Sequence, residues 1–285
     1  MKRDRLWYPR PTMPPTDAGP DSGAQYDRFA DIYGVWTDTA PAAGANQTFY
    51  CQLYNETAGP VVELGVGDGR IAVEAARQGA HLVGIDASSR MLERCRTRAD
   101  AAGVSERLAL QQADFRTFEL AAPASLIALP YHSLGHLTTL EDKRRAVERI
   151  FGQLRPGGRF VFDDFVVTDQ RRAHMRQAQL RAVYQAPDGT DRLLWVTSLL
   201  DDSAQRITVI TWEDTLDAAG QQLERRYRKL ELSWLTPDQA RALLEAAGFE
   251  IESCWGDFDR TPFDPVEAEE QIWVARRPHA GSQVA

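Results

Sequence analysis

The segment VVELGVGDGR, residues 61–70, decides how the rest of the chain is read. Val61 and Val62 favour a pleated strand, and Glu63 and Leu64 complete it. Glycine then falls at every second position: Gly65, Gly67 and Gly69. In the first strand-to-helix turn of a parallel sheet, glycines let the chain bend sharply and let a ligand approach the backbone. A dinucleotide needs G-x-G-x-x-G, with its pyrophosphate on the helix N-terminus. Here the third glycine comes one residue early, and Arg70 stands in its slot. Asp68 puts a negative charge where the helix is expected to begin. That charge opposes a pyrophosphate and suits a cationic ligand without phosphate.

Outward from this turn, strands and helices alternate. HLVGID (81–86), RLALQQAD (107–114), ASLIALP (124–130) and RFVFDDFVV (159–167) read as further strands. Helices are expected over 68–78, 88–102 and 140–154, the last closed by RPGG. Near-continuous apolar strands separated by helices predict a parallel sheet covered on both faces. The pattern changes after Thr168. LRAVYQA, RLLWVTSLLD, QRITVITWEDTL and LERRYRKLELSWL read as strands, separated by the turn signals PDGT, DSA and DAAGQQ. The arginine-rich ERRYRKLEL reads as an exposed sheet face. Thr236 and Pro237 then open a helix to Ala247, and FEIESCWG and QIWVARRP end the fold. The expected class is α/β: seven mostly parallel strands with helices on both faces, plus an inserted antiparallel cap. The division is 1–58 for an N-terminal arm and lid helices, 59–168 with 236–278 for the core, and 169–235 for the insert. In the first of these, helices are expected from Asp21 or Ser22 to Tyr33 and over 43–57.

The 285 residues carry 33 Lys and Arg against 41 Asp and Glu, a net charge of −8. An acidic chain is poorly suited to phosphate-backbone binding. The three cysteines, Cys51, Cys95 and Cys254, lack zinc-site spacing and read as reduced thiols. No apolar run approaches the ~18 residues of a membrane span. The proline-rich N-terminus lacks the apolar core of a signal peptide. Together these predict a cytoplasmic protein with no membrane partner.

The glycine segment resembles the first motif of class I S-adenosylmethionine-dependent methyltransferases, hh(E/D)hGxGxG, with Glu63 as its acid. VGIDASSRML resembles the second motif. The resemblance implies that Asp86 takes both ribose hydroxyls, a pairing that suits a carboxylate. QQADFRTF resembles the third, in which Asp114 accepts from the adenine amine and Phe115 lies beside the ring. LRPGGRFVFDDF matches the family's turn into strand five, and the likeness resumes at TPDQARALLEAAGFEI. The cofactor-binding set so implied is Tyr26, Tyr33, Glu63, Gly65, Gly67, Gly69, Asp86, Ala87, Met91, Asp114, Phe115 and Leu129. Tyr26 and Tyr33 belong to YDRFADIY, which resembles the helix these enzymes fold over the cofactor, S-adenosyl-L-methionine.

LPYHSLGHLT, residues 129–138, follows strand four, where the family's transferable methyl emerges. Methyltransferases of nucleic-acid bases carry (D/N/S)PP(Y/F) there, and this chain does not. The segment resembles the NSxxHL element of small-molecule enzymes, including amino-sugar N-methyltransferases. His136 matches its histidine and His132 replaces its asparagine, so both are candidate catalytic residues. A histidine near neutral pKa suits removal of a proton from an alcohol or ammonium. Asp163 and Asp164 invite a magnesium reading, but no further ligand motif accompanies them. The expectation is no metal, with one of the two acids facing solvent or substrate. CWGDFDR, residues 254–260, is placed to close the substrate pocket. The resulting expectation is a methyltransferase acting on N or O of a small molecule, with the inserted sheet as a candidate homodimer surface. The rivals are a non-catalytic protein of the same fold and a nucleic-acid methyltransferase.

Overall fold

From residue 42 onward the elements follow the apolar pattern closely. The computed structural model describes Phe29, residues 31–39 and residues 42–279. Helices α1 (Tyr33–Asp38) and α2 (Ala43–Glu56) lead into β1 (Val61–Leu64). There follow α3 (Arg70–Arg77), β2 (Leu82–Asp86), α4 (Ser89–Ala101), β3 (Leu108–Gln112) and β4 (Ala124–Leu129). A short 3-10 turn, Ser133–His136, precedes α5 (Leu140–Gln153) and β5 (Leu154–Phe165). The insert comprises α6 (Asp169–Met175), β6 (Gln179–Gln185), β7 (Asp191–Asp201), β8 (Arg206–Leu216) and β9 (Gln222–Ser233). The core closes with α7 (Pro237–Ala246), β10 (Glu250–Trp255) and β11 (Glu270–Arg276).

The main sheet has seven strands in the order β10-β11-β5-β4-β1-β2-β3. Strands β1 to β5 run parallel, and β11 lies antiparallel between β5 and β10. Every residue of β1 and β4 is buried, as expected of central parallel strands. Strand order reverses between β4 and β1, so a crevice opens beyond their carboxyl ends. One apolar layer, including Phe49, Ile71 and Leu92, covers one face of this sheet. Another, including Phe118, Ile150 and Phe249, covers the other. The four-stranded insert, order β6-β7-β8-β9, is antiparallel and packs its own inner face around Ile32, Phe165, Ile207, Val209 and Trp234.

Local chemistry sets the helix starts. Ser88 caps α4 by accepting from Met91 N–H at 3.1 Å, and Thr236 with Gln239 forms a capping box on α7. Several expectations need correction. The first helix after the glycines starts at Arg70, because Gly69 takes a left-handed φ of 82° that an α-helix cannot include. Asp68 therefore precedes it. Strand five begins at Leu154, with an irregular register against β4, so RPGG lies within the strand. The insert opens with α6, capped by Thr168, before its first strand. Asp31 and Ile32 form a turn, and Tyr33 starts α1 and does not end an earlier helix. Phe29 is helical, and the rest of the expected 21–33 helix, with Tyr26, lies outside the described residues.

Candidate active site

The carboxyl ends of β1 and β2 hold a narrow cleft of about 30 Å³, lined by Tyr33, Gly65, Gly67, Asp86, Ala87, Met91, Phe115, Ser133 and His136. Gly65 and Gly67 adopt φ of 70° and 56°, which turns their backbone toward this space. A Cβ on Gly67 would meet Met91 Cε and the Tyr33 hydroxyl, each at 3.4 Å. One on Gly65 would meet Ser133 Oγ at 3.1 Å and Phe115 Cζ at 3.3 Å. The two glycines thus form a cradle that Tyr33, Met91, Phe115 and Ser133 lean across. Asp86 reaches its edge, accepting from Gly67 N–H at 2.9 Å and Ser88 N–H at 2.8 Å. The lining holds one carboxylate and no Lys or Arg. That donor set fits a cationic adenosyl cofactor and not a pyrophosphate.

Not every expected residue joins this cleft. Gly69 shapes the turn into α3, where Cys95 and Val73 pack against it. Glu63 lies buried in β1, and burial pushes its carboxyl up to about 8, against Tyr54 and Arg70 nearby. Its Oε2 has no hydrogen-bond partner. Leu129 is buried at the end of β4 within the apolar layer. Asp114 is turned to Arg116, which binds it through Nε at 2.8 Å and Nη2 at 2.7 Å. Asp68 pairs with Arg98 at 2.7 Å, so its charge faces α4.

Past β4 the chain makes a strained pair: Tyr131 and His132 have φ of 59° and 57°. A carboxylate beneath them explains it. Asp163, 0% exposed on β5, accepts from Tyr131 N–H and His132 N–H, each at 2.9 Å. The Tyr50 hydroxyl, at 2.6 Å, and the Asn46 amide, at 3.3 Å, donate to the same carboxylate. Asp164 is also buried and accepts from Phe165 N–H and Leu235 N–H, joining β5 to the chain before α7. Burial raises its carboxyl to about 6, with Lys143 opposing. Both acids are structural anchors, so neither faces solvent as expected. Lys143, buried on α5, donates to Leu134 carbonyl at 2.6 Å and clamps the turn from the other side.

The two histidines fall in different places. His132 contacts Glu270 through Nε2 at 2.7 Å, and Glu270 also pairs with Arg171 of α6 at 3.0 Å. Burial works to lower the His132 imidazole, but Glu270 and Asp163 overcome it and raise it to about 9. It is therefore an imidazolium at neutral pH. His136 lines the cofactor cleft, where burial and the Lys143 ammonium push it down to about 3. It is neutral there and a weak base. His132, Asp163 and Glu270 bring ligand atoms within 4.8 Å of one another, close enough for a cation. A metal would have to displace the His132 proton and compete with Arg171 and the four donors on Asp163.

A much larger cavity of about 970 Å³ lies on the other side of the Tyr131–His132 pair. Its floor is Tyr131, His132 and Phe165; one wall is α6 with the inner face of β6, β7 and β8. The loop from Gly256 to Glu269 forms the other, and brings Asp257, Asp264, Glu267 and Glu269 to the edge. Gly256 and Asp257 bring part of CWGDFDR to this cavity. Glu270, Arg171 and Arg181 escape sequence reasoning. Glu270 lies 138 positions from His132, and no local spacing signals that contact.

Residues 61–158 match a family model described as a methyltransferase domain. A carboxy-S-adenosyl-L-methionine synthase of Photobacterium profundum is 28% identical over 137 residues, 47% of this chain and 55% of that protein. The chain thus spans about half the length of that relative. A cypemycin N-terminal methyltransferase of a Streptomyces species is 25% identical over 223 residues, 76% of this chain and 83% of that protein. The structure of the CcbJ methyltransferase from Streptomyces caelestis is similar with a TM-score of 0.74 at 23% identity, covering 90% of this chain and 98% of that one. With the glycine cradle, Asp86 and the seven-stranded sheet in one place, residues 61–158 carry a methyltransferase domain, and the chain has the fold of class I S-adenosylmethionine-dependent methyltransferases.

Proposed function

We propose that the chain transfers a methyl group from S-adenosylmethionine to a nitrogen of an amine-bearing small molecule seated in the large cavity. The observation that carries this reading is the cavity itself, which adjoins the cofactor cleft across the Tyr131–His136 turn and has four exposed acids on one wall. Carboxylates attract an ammonium by charge and orient it by hydrogen bonds.

When bound, the cofactor supplies an electrophilic methyl on sulfur, which departs as a neutral thioether. Asp86 would receive the ribose hydroxyls, Met91 and Phe115 would hold the adenine, and Tyr33 would cover the cleft. Full occupancy requires Tyr33, Met91 and Phe115 to swing away from the glycines. Tyr131 and His132, fixed by Asp163, align the acceptor. Neither histidine is poised as a base: His132 already holds a proton and His136 binds one weakly. The acceptor amine therefore reacts in its neutral fraction, with alignment as the main catalytic contribution.

The remaining assignments follow from the same reading. Residues 169–235 act as one inserted unit between 59–168 and 236–278, and helices α1 and α2 within residues 1–58 supply the lid. The outer face of the insert stacks Trp195 on Trp212 at 6.0 Å and exposes Leu180, Val183, Leu199 and Tyr227. A second copy of the chain on this face gives a homodimer. A cytoplasmic location suits three unpaired cysteines. Among the described residues no helix is long and apolar enough to cross a membrane. The net charge of −8 disfavours nucleic acid as partner.

The test is a screen of amines and alcohols with cofactor carrying a labelled methyl. Label is expected on nitrogen of at least one small amine. Transfer confined to oxygen acceptors or to nucleic acid would overturn the reading.

A further inference from the structure

We propose that Arg181 is a receptor for an oxyanion, carboxylate or phosphate, on the acceptor. The proposal rests on the reading of the large cavity as the acceptor site and assigns the chemistry of one end of its occupant.

Arg181 lies in β6, the edge strand of the insert. The β6–β7 register pairs Leu180 with Trp195 and Ala182 with Leu194, so Arg181 is the extra residue of a β-bulge. A bulge costs ladder hydrogen bonds and re-aims a side chain, which is why bulges gather beside functional sites. Here its effect can be traced. Leu180 and Val183 are exposed on the outer face, while Ala182 and Tyr184 pack on the inner apolar cluster. Regular alternation cannot place 181 and 182 on the same side. The bulge does so, and Arg181 lines the cavity.

The side chain is held but not neutralised. Its guanidinium lies over the Trp36 ring at 5.7 Å. Among the described residues no carboxylate pairs with it, and its buried Nε has no hydrogen-bond partner. The other arginine in the cavity lining differs: Arg171 is bound by Glu270 and by the Glu269 carbonyl. Burial lowers the Arg181 pKa, so the cation carries a desolvation cost that no carboxylate among the described residues offsets. A planar guanidinium with an open fork is shaped to take two oxygens of one anion. Neutral donors line the same cavity: Gln177 before β6, Gln179 at its start, and Ser198 on β7. The cavity is thus polarised, with donors and a cation on the sheet wall and acids on the loop wall. Its occupant carries an oxyanion at one end and an amine at the other.

The experiment uses the full chain with 15N-labelled arginine. Sodium phosphate and, separately, sodium acetate are titrated at constant ionic strength against a sodium chloride control. The Arg181 Nε–H signal is assigned by its absence from Arg181→Gln. It is expected to move saturably with one of the two anions. Calorimetry with that anion should show at least a tenfold loss of affinity in Arg181→Gln and a smaller loss in Arg181→Lys, which keeps charge without the fork. A stronger response to phosphate assigns a phosphorylated acceptor, and to acetate a carboxylated one. A signal that moves no further than with chloride overturns the proposal, as does unchanged anion affinity in Arg181→Gln. Thermal stabilisation by S-adenosylhomocysteine, measured on the same samples, reports separately on the cofactor cleft. Its absence would count against the methyltransferase reading and not against Arg181.

Discussion

The cofactor cleft and the acceptor cavity meet at one turn, yet they are assembled in opposite ways. The cleft draws most of its lining from residues 65–91, on two successive strand-to-helix turns. Its geometry follows from short-range rules: glycines at left-handed φ, a serine cap, an acid at a strand end. The cavity draws on α1, the start of α2, the β4 turn, β5, four elements of the insert and the β10–β11 loop. Nothing local specifies it. The cleft is nearly free of charge apart from Asp86, whereas the cavity edge is dense in it. The cleft thus rests on backbone shape, and the cavity on long-range placement of charge.

The largest effect that would break this contrast is expected at Asp163, the hinge between the two sites. Asp163→Ala strands two buried amides, a tyrosine hydroxyl and an asparagine amide. It should cost about 3–5 kcal/mol in urea unfolding. A variant with an unchanged midpoint would mean that the Tyr131–His132 turn holds itself. On the cavity side, His132 should make stability depend on pH. Its folded pKa, about 9, lies above the unfolded value of 6.5. The stabilisation from its ion pair is therefore complete below pH 6.5 and lost as pH rises through about 9. It amounts to roughly 3 kcal/mol at most. Glu63 and Lys143 also titrate near 8 in the folded state, so the measurement is the wild-type profile minus that of His132→Gln. A flat difference between pH 6.5 and 9 would remove the ion pair from the cavity floor.

On the cleft side, Asp86→Ala should weaken S-adenosylhomocysteine by about 1–3 kcal/mol in calorimetry, through lost charged hydrogen bonds. NAD(H) should give no thermal stabilisation in either form. Equal affinity in the variant would place the ribose elsewhere. The smallest effect is expected at His136. With an imidazole near 3, it contributes to cleft shape, and His136→Ala should lower kcat by less than about tenfold. A loss of about a hundredfold, with cofactor affinity intact, would restore it as the base and contradict the alignment-only mechanism.

The sheet, its order of elements and most of the cleft were legible because they depend on signals within a few residues. Gly65, Gly67, Asp86, Ala87, Met91 and Phe115 all line one space, together with Tyr33 and His136. Asp114 was misread for a reason of the same scale. Arg116, two positions on, takes both of its oxygens, and a spacing that matches a motif cannot show which neighbour claims a carboxylate. One of Asp163 and Asp164 was expected to face solvent or substrate, because charged residues seldom lie fully buried. In the fold they are satisfied by backbone donors from the β4 turn and from Leu235.

By itself, then, the sequence determined the parallel sheet, the glycine cradle, the cationic character of the cofactor and the antiparallel insert. Each is written in periodicity, turn residues or strand-end acids. Only the tertiary structure decided that His132 is an imidazolium, that His136 lines the glycine cleft, and that a bulge aims Arg181 into a polarised cavity. Protonation and direction depend on what packs across the fold, and burial multiplies the influence of charges that are distant in the chain.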